Sequence, residues 1–159
     1  PDSRVFAFAR EDDYFFGVLH SRIHEVWSLR LVSKHGVGND PVYNTSTCLE
    51  TFPFPWAPGT EPVDDERVVA IAEAAKELDA KRRAWLDPEG ASEAELKKRT
   101  LTNLYNERPT WLRNLHARLD RAVWDAYGWP GDEVPGEVGE EVILERLLQM
   151  NLERSKQHR

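Results

Sequence analysis

Apolar residues recur at three- and four-residue steps along most of the chain, a spacing that places them on one face of an α-helix. Aspartate or serine stands directly before several of these stretches, and Ser92-Glu-Ala-Glu95 has the sequence of a helix capping box. The pattern predicts helices from Asp12 or Asp13 to about Lys34, from Asp64 to Trp85, from Ser92 through Leu104, from Pro109 to Ala126, and through Val142 to Met150. It therefore predicts a mainly α fold, a bundle of about four to five helices.

Two segments depart from this helical pattern. Residues 3–9 are rich in Val and Phe and are predicted to form a short N-terminal strand. Residues 52–58 contain three prolines, which lack a backbone donor and push the preceding residue out of helical space, so this segment must be extended. Three aromatic residues alternate with the prolines, and we expect their rings to lie against a packed surface. We call this segment the aromatic-proline strap; its residues are Phe52, Pro53, Phe54, Pro55, Trp56, Ala57 and Pro58.

The composition excludes several classes of protein. The chain has 159 residues, of which 40% are hydrophobic, enough to form one compact core. It contains no run of 18 apolar residues and no charged-then-apolar leader, so neither a membrane span nor a signal peptide is expected. Cys48 is the only cysteine, which excludes an internal disulfide and agrees with a reducing compartment. We therefore expect a soluble, cytoplasmic protein.

Charge is distributed unevenly along the chain. The net charge of −7 argues against a free-standing nucleic-acid binder, because neutralising phosphates requires a basic surface. Residues 60–95 contain eleven acidic and five basic side chains, whereas residues 97–122 contain seven basic and two acidic ones. Such runs are also typical of solvated helix faces. If the chain has a phosphate-facing surface, we expect it in the second of these regions or near Arg22, Arg30 and Lys34.

Three short motifs resemble known sites but lack their context. His20 and His24 are one helical turn apart, but Ser21 occupies the position where a metalloprotease needs glutamate, and no third ligand is evident. A metal hydrolase is therefore kept only as a testable alternative. Asp40-Pro-Val-Tyr43 is a degenerate form of an amino-methyltransferase motif without the apolar strand that should precede it. Glu95-Leu-Lys97 resembles half of a nuclease signature but falls in a predicted helix. No catalytic or metal-binding set can be assigned.

Five blocks, in this order along the chain, resemble the C-terminal end of the MmeI-like DNA methyltransferases, which include type IIL restriction-modification enzymes. The strap and the final leucine-rich helix are the more specific parts of the resemblance. The blocks are Asp12-Asp-Tyr-Phe-Phe-Gly-Val-Leu-His-Ser-Arg-Ile-His-Glu-Val-Trp27, Cys48-Leu-Glu-Thr-Phe-Pro-Phe-Pro55, Leu101-Thr-Asn-Leu-Tyr-Asn106, Leu119-Asp-Arg-Ala-Val-Trp-Asp-Ala-Tyr-Gly-Trp129 and Leu144-Glu-Arg-Leu-Leu-Gln-Met-Asn-Leu-Glu-Arg154.

The resemblance implies a division of the chain into two parts. Residues 1–58 would be the end of a target-recognition domain with its connecting strap, and residues 59–159 a helical C-terminal domain. The catalytic motif and the S-adenosylmethionine loop would lie upstream, in an adenine-specific methyltransferase domain of the same chain, with or without a nuclease. The fragment would then be non-catalytic and hold no cofactor. It would support binding of double-stranded DNA by the parent enzyme.

The loop from His35 to Thr47 is the best local candidate for base or groove contacts, because its asparagines offer both donors and acceptors. A loop hydrogen-bonded to itself is the structural alternative. The rival function is a helical protein-interaction module with no DNA role, which the acidic balance favours. The candidate DNA contacts are Arg22, Lys34, His35, Asn39, Asn44, Arg113 and Arg118.

Overall fold

The computed structural model describes residues 9–35 and 40–157 of the chain, and the side chains of all of these except residues 33–35 and 40. The fold is mainly α-helical, as the sequence predicts. The elements are α1 (Asp13–Leu19), α2 (Arg22–Leu31), β1 (Ser33–His35), β2 (Asp40–Val42), a π-helical turn (Thr45–Leu49), α3 (Glu66–Leu86), α4 (Glu93–Leu96), α5 (Leu101–Glu107), α6 (Thr110–Ala126) and α7 (Glu140–Gln157). The predicted N-terminal strand, residues 3–9, lies outside the described residues apart from Ala9.

Two of the predicted helices are each divided into two. The first is interrupted at Ser21, whose side chain accepts from the backbone N–H of His24 and so caps a new helix, α2. The third is interrupted before α5, where the Thr100 side chain caps in the same way. Hydroxyl side chains that bond to the local backbone favour such interruptions. The capping box of Ser92 and Glu95 at the start of α4 is confirmed.

The chain that follows α2 forms a short antiparallel hairpin instead of the last predicted helical turn and a loop. Ser33 pairs with Val42, Lys34 with Pro41 and His35 with Asp40. Pro41 cannot donate to this ladder, so the pairing is short. The hairpin pairs the start of the predicted recognition loop, His35, with Asp40 further along it.

The core is formed by α1 on α3 and α3 on α6, with α2 and α7 packed alongside. One hydrophobic cluster contains residues from both sides of residue 58, including Phe15 and Trp27 on one side and Leu78 and Leu119 on the other. The division into 1–58 and 59–159 stays a prediction. Its two parts share this cluster within the described residues.

The aromatic rings of the strap differ in burial. Phe52 and Phe54 are both 5% exposed, and the Phe54 ring stacks on Phe15 with centroids 5.6 Å apart. Trp56 is only half-buried, and the Arg67 guanidinium lies 4.8 Å from the centroid of its ring. The two phenylalanines, more than the tryptophan, therefore anchor the strap in the core.

Side chains from three helices donate hydrogen bonds to backbone carbonyls in and beside the strap. Such donors replace the ladder that the prolines prevent. The four pairs are Asn151 Nδ2 to Thr51 O (2.9 Å), Tyr127 Oη to Pro53 O (2.9 Å), Arg154 Nη2 to Pro55 O (3.0 Å) and Tyr14 Oη to Trp56 O (3.3 Å). The strap is thereby fixed to α1, α6 and α7 together.

Gly17 allows the close approach of α1 to α3, and we expect Gly17→Ala to destabilise the protein. A Cβ placed there would lie 2.7 Å from Ile71 Cγ2 and 3.2 Å from the Ile71 carbonyl oxygen. The overpacking should lower the free energy of unfolding by about 1–3 kcal/mol, although alanine favours helix more than glycine does. Urea unfolding measures the change. Gly136→Ala is the control, since nothing lies within 4 Å of a Cβ there. Equal stabilities of the two variants would contradict the prediction.

Candidate functional site

A groove of about 1150 Å³ opens between the hairpin and the α5–α6 region. One wall is formed by the end of the hairpin, through Pro41, Val42 and Tyr43, and by the first turns of α2. The other wall consists of the end of α3, α5 and α6. We call it the α2–α6 groove. Its ionisable residues and the tyrosine of α5 are His20, Arg22, His24, Glu25, Arg82, Tyr105, Arg108, His116 and Asp120.

At one end of the groove, three polar side chains are joined in a chain of hydrogen bonds. Arg82 is 8% exposed, and its Nη1 donates to Tyr105 Oη at 3.2 Å. Tyr105 Oη lies 2.9 Å from His116 Nε2. Because arginine only donates, the tyrosine hydroxyl accepts from it, and the tautomer of His116 sets the direction of the bond between this hydroxyl and Nε2. Burial, followed by the charge of Arg82, lowers the pKa of His116, which agrees with a neutral imidazole.

His20 and His24 have different surroundings because the helix is interrupted at Ser21 between them. His20 follows α1 and packs on Phe16, with ring centroids 4.1 Å apart. His24 is buried in α2, and its Nε2 lies 3.0 Å from Tyr43 Oη. Burial is the main cause that lowers the pKa of each to about 4. His24 Nδ1 is buried and has no hydrogen-bond partner in the part of the chain that the structure describes.

The described residues provide no metal centre around this pair. Within residues 9–35 and 40–157, no group of three or more His, Cys, Asp or Glu is placed to hold a metal ion. His20 instead contacts a phenylalanine ring, and His24 a tyrosine hydroxyl. The groove is therefore a hydrogen-bonding site rather than a set of carboxylate and imidazole ligands.

The other end of the groove is fixed by Asp120 and Arg22. Asp120 Oδ1 accepts from the backbone N–H of Arg22, in the first turn of α2, at 2.7 Å. Burial raises the pKa of Asp120 to about 6, against the opposing effect of this hydrogen bond. The Arg22 guanidinium donates to the Pro135 carbonyl at 3.0 Å. This arginine therefore connects α2 to the loop after α6 while it lines the groove.

The other candidate DNA contacts have separate places. Asn44 caps the π-helical turn by accepting from the Ser46 backbone N–H, and it does not line the groove. Arg113 is exposed on α6 and donates to Thr110 Oγ1 at 3.1 Å. Arg118 pairs with Glu77 at 2.5 Å and Glu73 at 3.9 Å. The backbones of Lys34 and His35 form β1, but their side chains are not described, and Asn39 lies outside the described residues.

Sequence reasoning did not single out Arg82, Tyr105 or His116. Arg82 continues the apolar stripe of α3 at four residues after Leu78, and His116 occupies the same position after Leu112 in α6. A polar residue at an apolar position of a helix is a signal that could have identified both. Tyr105 carried no such signal, because α5 is short and largely exposed. Arg108 belongs to the basic run of residues 97–122 but was not named as a contact.

Comparisons of this chain with protein-family models, curated proteins and solved structures found no match. None of the helices in the described residues has the length and apolar character needed to span a membrane. The function of the groove therefore has to follow from the chemistry of its own side chains.

We expect His24 to destabilise the protein as the pH falls. Its pKa is about 4 in the folded protein and about 6.5 in an unfolded chain. Between these values the unfolded chain binds a proton that the folded protein excludes, so the free energy of unfolding falls as the pH falls. The total loss is on the order of 3 kcal/mol.

The His24→Phe variant removes this titration and should lose less stability than the wild type between pH 6.5 and pH 4. Urea unfolding of both proteins at several pH values measures the difference. A constant difference across that range would show that His24 does not titrate as described. The variant also loses the hydrogen bond to Tyr43. This loss lowers the free energy of unfolding by the same amount at pH 6.5 and at pH 4, so it does not affect the comparison.

Proposed function

We propose that this chain is the non-catalytic C-terminal part of an adenine-specific DNA methyltransferase of the MmeI-like kind, and that it helps to hold double-stranded DNA. The supporting observation is that the α2–α6 groove brings together the predicted recognition loop, through Pro41 to Tyr43, and the basic α5–α6 region, through Arg108. These two segments were selected separately from the sequence. Methyl transfer and S-adenosylmethionine binding are assigned to the upstream domains of the parent enzyme.

The charges in the groove support a role in contacting phosphates. Arg108 is exposed at the end of α5 and forms no ion pair within the described residues. Arg113 lies five residues further along, on the face of α6 that also carries His116 and Asp120 three and seven residues later. Methylating an exocyclic amine requires the base to leave the duplex, and contacts to the flanking phosphates hold the duplex in place while it does so.

A helical protein-interaction module is the second candidate, and α7 favours it. Val142, Leu148 and Leu152 are 40%, 53% and 62% exposed, and the two leucines are one helical turn apart. Exposed apolar residues at such spacing are typical of a helix that packs against another protein surface. This candidate requires no contact with DNA.

The proposal that this chain is part of a methyltransferase is tested by the sequence encoded upstream of Pro1. We expect an F-x-G-x-G loop followed by N-P-P-Y or D-P-P-Y, because a glycine-rich turn is needed for the cofactor and the second motif grips the target amine. Sequencing the coding region checks this. An upstream region without both motifs would remove the methyltransferase proposal and leave the interaction module.

DNA binding by the chain itself is tested with two matched arginines of α6. We expect weak binding to duplex DNA, with a dissociation constant of about 10⁻⁴–10⁻⁶ M at physiological salt. Arg113→Gln should weaken binding to all sequences and reduce the slope of log K against log salt by roughly one. Arg118→Gln should change the slope less, because Glu77 already pairs with this arginine. Fluorescence anisotropy over a salt series measures both.

The outcome separates the two candidate functions. Absence of DNA binding at every salt concentration would contradict the DNA-holding function and favour the interaction module. A larger loss for Arg118→Gln than for Arg113→Gln would place the DNA on the α3 side of α6 instead of the groove side.

A further inference from the structure

Arg82 is a buried cation with little direct compensation. Its Nη2 lies 3.7 Å from Asp79 Oδ1, whereas Asp79 Oδ2 accepts from Arg83 Nε at 2.7 Å. Two guanidinium groups thus share one carboxylate, and the closer contact belongs to the exposed Arg83. A buried charge is costly unless a partner compensates it. Arg82 lines the α2–α6 groove, so the free protein keeps a partly compensated positive charge in the wall of that groove.

The groups around Arg82 mainly present donors. Tyr105 accepts from Arg82 and shares a hydrogen bond with His116 Nε2, and His116 Nδ1 has no hydrogen-bond partner in the described part of the chain. Arg108 adds a second guanidinium, and its charge affects the titration of His116. The groove is also lined by two carboxylates, Glu25 and Asp120, and Asp120 accepts from the first turn of α2. Among Arg82, Tyr105, Arg108 and His116 themselves, donors outnumber acceptors.

We propose that Arg82, Tyr105, Arg108 and His116 form a subsite for one phosphate group. Guanidinium groups match the oxygens of a phosphate in geometry and charge, and a neutral imidazole N–H adds a further donor. This assignment rests on the proposed function, so the phosphate is a phosphodiester of the DNA backbone. The subsite fixes the position of the duplex, and the hairpin wall of the groove is left to contact the bases.

The conformation of Arg108 supports this assignment. It caps the C-terminus of α5 with φ 45° and ψ 60°, a left-handed conformation that non-glycine residues rarely adopt. The following Pro109 begins the turn into α6. The arginine is therefore placed at the junction of α5 and α6, which contribute to one wall of the groove.

The test uses the chain and a fluorescent DNA duplex. Arg108→Gln should weaken binding about tenfold, as expected for one lost charge-assisted hydrogen bond, and should reduce the salt slope by roughly one. Arg108 is exposed, so this variant should keep the wild-type melting temperature. Lys81→Gln is the matched control: it removes one exposed charge beside Arg82 in sequence but outside the groove. It should change the affinity less than twofold.

A second measurement uses inorganic phosphate as the probe. Phosphate should shift the imidazole resonances of His116, identified by their loss in His116→Gln, whereas chloride at equal ionic strength should not. Tyr105→Phe removes the hydroxyl that orients this imidazole and should reduce the shift.

The two measurements together separate the subsite from the function on which it rests. If the chain binds DNA but Arg108→Gln binds as the wild type does and phosphate leaves His116 unshifted, the subsite is overturned and the DNA-holding function stands. If phosphate shifts His116 while no DNA binds, the subsite accepts a free phosphate and the DNA-holding function is overturned. If neither is seen, both are overturned.

Discussion

Prolines remove the backbone donors with which residues 52–58 could pair as a strand, so the carbonyls of the strap depend on side-chain donors from elsewhere. Those donors come from α1, from the C-cap residue of α6 and from α7, so they lie on both sides of the strap in sequence. An unpaired buried carbonyl costs about 1–3 kcal/mol, so the strap and these helices can hardly move independently. The rings of Phe52 and Phe54 add the apolar contact that holds the strap in the core. The placement of the N-terminal helices on the C-terminal ones therefore depends on this segment.

The groove exists because one helix stops and another begins at Ser21. A continuous helix from Asp12 to Lys34 would carry His20 and His24 on one face and leave no turn between them. The new N-terminus instead presents its free N–H groups, and Asp120 of α6 accepts from one of them at 2.7 Å. That bond fixes α2 across the groove from α6. Polar residues from several elements then line one groove, which neither α2 nor α6 would form alone.

Features that depend on residues close together in the sequence could be predicted, and features that depend on distant residues could not. Helical faces and the Ser92 capping box depend on neighbours within four residues, and they were predicted. The interruption at Ser21 was missed because apolar spacing continues across it through Leu19 and Ile23. The hairpin was missed because Ser33 to Val42 lacks alternating apolar residues. The chain from Arg82 through Tyr105 to His116 spans 23 and 11 positions, and only tertiary packing brings such residues together.

A chain with a negative net charge can hold DNA only if basic side chains at the point of contact outweigh the repulsion from the rest of the protein. The net charge of −7 acts over distances at which salt screens it, about 10 Å at 0.1 M ionic strength. A phosphate in direct contact with Arg108 is screened much less. On α3, Glu73 and Glu77 already pair with Arg118, so the side of α6 that faces α3 offers DNA little positive charge. If the proposed DNA-holding function is correct, we expect the duplex to approach the described residues over the hairpin and the α5–α6 junction. The overall negative charge should then act mainly on the rate of that approach.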